Sequence, residues 1–87
     1  MSYKIVIPKP VFKALNEIPA ENKNRILNKL IQLEENPQIY GSQKLHGYDE
    51  QYRIRSGDYR IRYFINETNR DVLILDIAHR KDIYKRK

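Results

Sequence analysis

At 87 residues the chain has room for one domain and one modest core, burying roughly 60–65% of the surface that its unfolded form exposes. Lys and Arg number 17 against 11 Asp and Glu, a net charge of +6 that favours nucleic acid, an anionic membrane or an acidic protein as partner. Cysteine is absent, which excludes a disulfide framework, a thiol nucleophile and a Cys-based zinc site, and no segment approaches the ~20 apolar residues of a membrane span. The apolar run at the N-terminus is also far too short for a signal-peptide core, so a cytoplasmic location is expected.

In chain order, Tyr3 to Ile7 is β-branched enough for a strand, stopped by Pro8 and Pro10. Val11, Phe12, Leu15 and Ile18 follow helical spacing, with Pro10 suited to a first-turn position, and Pro19 ends that helix. A second helix starts near Ala20–Glu21, places Ile26, Leu27, Leu30, Ile31 and Leu33 along its length, and ends at Asn36-Pro37. The stretch from Ile39 to Gly47 reads as loop. Strands are expected at about 51–55, 59–66 and 71–78, the last so apolar that burial on both faces is anticipated. A short, very basic tail follows from Arg80. The order β-α-α-β-β-β implies one α+β domain over residues 1–87, a mainly antiparallel sheet with a helical hairpin on one face and the other face open.

The densest signal is the hairpin from Tyr52 to Tyr63. Arg53 and Arg55 precede a Ser56-Gly57-Asp58 turn, and Arg60 and Arg62 follow it. Residues two apart on a strand share a face, so each strand sets its arginine pair opposite Ile54, or opposite Ile61 and Tyr63. An ordinary wet strand face mixes Lys, Thr, Glu and Ser. A row of guanidinium groups instead suits phosphate, whose oxygens match the planar fork of donors. Seven of the eight arginines lie from Arg53 onward, whereas the lysines are spread along the chain, and Lys13, Lys23 and Lys29 read as solvated helix charges. Asp58 reads as turn chemistry, Asp76 as a buried partner for an arginine, and Tyr59 and Tyr63 as core. No carboxylate cluster has metal-site spacing, which argues against a two-metal nuclease, and no cofactor is implied.

Three segments together resemble the RelE/ParE superfamily of bacterial and archaeal toxins: Lys44-Leu45-His46-Gly47, the Tyr52–Tyr63 hairpin, and Ile77-Ala78-His79-Arg80-Lys81-Asp82-Ile83-Tyr84. The resemblance implies a RelE-like microfold and an acidic, RelB-like antitoxin partner. Its RelE branch implies a metal-independent mRNA interferase that cleaves mRNA in the ribosomal A site. Its ParE branch implies inhibition of DNA gyrase without nuclease activity. A third alternative is a catalytically weak relative that only binds RNA or an antitoxin.

By the same resemblance, Arg53, Arg55, Arg60, Arg80 and Tyr84 occupy functional positions, which favours the RelE branch. Lys44, Arg62 and Lys81 are expected to help hold RNA. The family pattern places lysines, one a candidate general base, where this chain has Arg53 and Arg55. Arginine cannot lose its proton in a protein, so these two are read as clamps and electrostatic stabilisers. The proton acceptor is left to Tyr84, His79, the ribosome or solvent.

Overall fold

The computed structural model describes residues 2–38, 42–44 and 51–81. Strand β1 (Lys4–Val6) leads to helix α1 (Lys9–Asn16), and Pro10 sits in the first turn of α1, where its missing N–H breaks no helical bond. The Phe12 N–H donates to the Pro8 carbonyl at 2.8 Å, so the proline before the helix accepts its first bond. Pro19 repeats this role for α2 (Ala20–Glu35), accepting from the Lys23 N–H at 2.8 Å. Asn36 then closes α2 ahead of Pro37, donating to the Gln32 carbonyl at 3.0 Å.

The sheet adds β2 (Gln43–Lys44), β3 (Gln51–Ser56), β4 (Tyr59–Asn66) and β5 (Asp71–His79), in the spatial order β1-β5-β4-β3-β2. Among the described residues the β1–β5 pairing is parallel and the others are antiparallel. The α+β order expected from the sequence is the observed one, with α1 packed on β5 and α2 on β1 and β3. One correction falls in the stretch read as loop, where Gln43 and Lys44 pair with Arg53 and Tyr52. Two residues carry no detectable alternation, so pairing with a longer neighbour alone defines this strand.

Between sheet and helices lie Leu15, Ile26 and Leu33 against Ile61, Tyr63, Ile65, Val72 and Ile74, all under 2% exposed. The helix stripes are narrower than the apolar spacing implied. Phe12 and Ile31 stand 53% and 59% exposed, because each follows a buried residue (Val11, Leu30) and is turned ~100° away from it.

Strand β5 also departs from expectation. Strict alternation from Val72 would send Asp76 inward with Ile74. Instead the register shifts: Tyr63 faces Ile74, yet Arg62 faces Asp76, leaving Leu75 as an extra residue. This bulge swaps the faces beyond it. Asp76 moves to the open side opposite Arg62, Ile77 turns inward opposite Ile61, and Leu73 and Leu75 are only half-buried.

Tyr63 anchors the chain after α2. Its ring stacks on Tyr52 at 5.9 Å, and its hydroxyl donates to the Pro37 carbonyl at 2.6 Å. Burial is the main cause of a phenol pKa pushed up to about 12, against a hydrogen bond with Ser42 that lowers it. In the unfolded chain Tyr63 ionises near 10, so the protonated phenol's stabilisation is complete below pH 10 and is lost as pH rises towards 12. The stability of wild type relative to Tyr63→Phe should therefore fall by about 2–3 kcal/mol between those limits, measured by urea unfolding. A difference independent of pH over that range would contradict the buried, protonated phenol.

Candidate functional site

The hairpin register brings the arginines together in two cross-strand pairs, Arg53 opposite Arg62 and Arg55 opposite Arg60. Tyr52, Ile54, Ser56, Ile61 and Tyr63 are buried on the helix side, which assigns all four arginines to the open side. The turn that permits this is tight: Gly57 occupies its first position at φ +61°, a conformation glycine adopts without strain. Like charges directly opposite on a sheet are destabilising, so the Arg55–Arg60 pair opposes folding rather than supporting it. Chemistry outside the fold is the better reason for its presence.

Arg62 differs from its neighbours. Its Nε and Nη2 donate to one Asp76 oxygen at 3.1 and 2.8 Å, a pairing that the β5 bulge makes possible. Much of its charge is thereby compensated on the spot. This is the arginine partner that the sequence assigned to Asp76.

Arg80 joins the cluster from the far end of β5. Its backbone N–H donates to the Asp58 carbonyl at 2.8 Å, fastening the residue after the strand to the hairpin turn. Arg55 and Arg60 pair with each other next to the Ser56–Tyr59 pair that closes the turn, so the backbones of the three arginines lie at one end of the sheet. Arg55 and Arg80 are exposed and Arg60 is half-buried. Lys81 is exposed beside Arg80. Such an arrangement offers fixed cationic donors to a phosphate, which need no reorganisation when charge develops on it.

Two sequence candidates sit elsewhere. Lys44 pairs with Tyr52, a register that directs its exposed side chain to the helix side of the sheet edge. It does not join the arginine row. His79 pairs with Tyr59 and meets its ring edge-on at 5.1 Å, while its Nδ1 accepts the Lys81 N–H at 3.1 Å. Both contacts belong to a residue closing the end of a strand. Tyr84 lies outside the described residues.

Lys29, read from the sequence as a solvated charge, is half-buried. With Arg25 it lines a groove of about 650 Å³ between α2 and the hairpin turn. A basic pair at i and i+4 on a helix was the available signal. Among the described residues, no three His, Asp or Glu side chains group as metal ligands, and no helix is long and apolar enough to cross a membrane.

Comparisons with known proteins agree with this architecture. Residues 7–84 match the family described as ParE toxin of type II toxin-antitoxin system, parDE. The RelE1 protein of Methanocaldococcus jannaschii is 31% identical over 98% of each chain. The archaeal RelE of the RelE–RelB complex from Pyrococcus horikoshii is 34% identical, with a TM-score of 0.80 over 92% of this chain and 97% of that one. The RelB–RelE complex from Methanococcus jannaschii gives 26% identity and a TM-score of 0.77 over 94% and 98%. The chain belongs to the RelE/ParE superfamily of type II toxin–antitoxin toxins and resembles its RelE-like branch.

Proposed function

We propose that this protein is a toxin that cuts mRNA in the ribosomal A site, using its open sheet face without a metal cofactor. The reading is supported by Arg55 and Arg60 paired on the face that the helices leave uncovered, with the backbone of Arg80 tethered to the adjoining turn. In the reaction, the 2′-hydroxyl attacks the adjacent phosphorus and surrenders its proton. The bond from phosphorus to the 5′ oxygen breaks, and that oxygen takes up a proton. A 2′,3′-cyclic phosphate and a 5′-hydroxyl end result.

Negative charge grows on the phosphoryl oxygens along this path, and fixed guanidinium donors stabilise it more than they stabilise the starting diester. Arg60 and Arg80 take this role, while Arg53 and Arg55 clamp the backbone. An acidic antitoxin laid over the same face would neutralise it and block RNA, in keeping with the RelB chains present in the archaeal complexes.

Primer extension on mRNA in a translating extract tests the reading. New 5′ ends inside translated codons are expected, and their loss when translation is blocked. The ParE family match supports a second reading, inhibition of DNA gyrase. Intact mRNA together with a loss of supercoiling by purified gyrase would select it.

A further inference from the structure

The groove beside the turn is a second cationic surface, on the opposite side of the hairpin tip from the open face. Arg25, Asn28, Lys29 and Gln32 form one stripe of α2 at helical spacing, and Arg55 with the Ser56–Asp58 turn makes the other wall. Its lining holds three cations and one carboxylate, Asp58. A solvated helix face ordinarily alternates signs, whereas the groove side of this stripe carries two cations and two neutral amides.

Arg25 is aimed into this space. A Cβ built on Gly57 would lie 3.9 Å from Arg25 Nη1, so the guanidinium stands over the turn. Its contact with Glu21 one turn back is long, 3.6 Å, with both side chains mostly exposed, and such a pair holds an arginine weakly. Arg55, whose side chain the register assigns to the open-face row, borders the groove at the hairpin tip. The cationic surface therefore continues around the hairpin tip.

We infer that this groove is a second RNA-backbone site, in which Arg25 and Lys29 hold phosphates and Asn28 and Gln32 bond sugar hydroxyls, away from the bond that is cut. The inference rests on the RNA-directed reading of the open face. Its occupant is a sugar–phosphate backbone because the groove offers charge and hydrogen-bond donors in place of an apolar floor that would anchor a folded peptide.

The test is the salt dependence of binding, read by fluorescence anisotropy with a short labelled oligouridylate and by co-sedimentation with ribosomes. Arg25→Gln/Lys29→Gln is compared with Lys9→Gln/Lys13→Gln, which removes the same charge from exposed positions on α1. Loss of two backbone contacts should reduce the slope of log K against log salt by about 1.4 and weaken binding on the order of 10-fold at low salt. The α1 pair should leave the slope near that of wild type.

Equal losses in both double variants would overturn the site in favour of bulk charge. Unchanged binding by the groove variant, while wild type still cleaves mRNA, would remove the groove and leave the proposed activity standing. A loss confined to an acidic antitoxin peptide would make the groove a protein site and overturn the inference. Wild type that neither binds RNA nor cleaves it would take down the activity, and this inference with it. Circular dichroism melts of both variants verify that each is folded.

Discussion

Arg60→Ala and Arg80→Ala should each lower single-turnover cleavage of mRNA on programmed ribosomes by on the order of 10²–10³, the usual effect of removing one preorganised donor from developing charge. Neither change should unfold the protein. Arg80 is tied to Asp58 through its backbone N–H, which alanine keeps. Arg60 stands opposite Arg55, so its removal relieves a like-charge pair, and the melting temperature should hold or rise slightly. A rate loss without a stability loss separates a reacting-site cation from a structural one. Arg62→Ala is the internal control. Its guanidinium is already engaged by Asp76, so a reduction below about 10-fold is expected. Equal damage from Arg60→Ala and Arg62→Ala would mean that the hairpin supplies bulk charge and no site geometry.

The second large effect is expected at Tyr84. Arginines 53, 55, 60 and 80 cannot accept the 2′-hydroxyl proton. His79, the sequence's other candidate, is turned to Tyr59 and engaged at Nδ1 by the Lys81 N–H. Tyr84 is the remaining candidate in the chain, and it lies in a sequence run holding Lys81, Lys85, Arg86 and Lys87. Tyr84→Phe retains the ring and any base stacking while deleting only the hydroxyl. It should slow cleavage by about 10²-fold or more, the scale of general acid–base catalysis, with ribosome binding nearly unchanged. His79→Ala should cost far less. Wild-type cleavage by Tyr84→Phe, with a large loss in His79→Ala, would move proton transfer to the histidine, and wild-type rates in both would assign it to the ribosome or water.

The hairpin shows why so much of the fold was legible. Arg53, Ile54, Arg55 and then Arg60, Ile61, Arg62 alternate without interruption around a glycine turn, so the face of each arginine followed from period two alone. The proline punctuation at positions 10, 19 and 37 bounded the helices for an equally local reason. What local pattern could not supply was tertiary. The bulge at Leu75 is a disagreement between two strands, and within β5 it looks like ordinary apolar sequence. Its consequence, Asp76 meeting Arg62 on the open side, was visible as a partner requirement without a location. Lys44 was read within a loop because a two-residue strand has no period from which to read a face, and only its pairing with Tyr52 sets it on the helix side. The groove at Arg25 and Lys29 depends on α2 lying against the β3–β4 turn, a contact between segments some thirty residues apart.

The most direct test of the account is single-turnover cleavage on programmed ribosomes of two mRNAs that differ at one atom, the 2′ oxygen of the nucleotide before the scissile phosphate. The ribose mRNA should be cut within the A-site codon, leaving a cyclic phosphate, while the single 2′-deoxy replacement should abolish that cut and leave toxin binding to the ribosome intact. Equal cleavage of both mRNAs would contradict attack by the 2′-hydroxyl, and with it the role given to the arginine face.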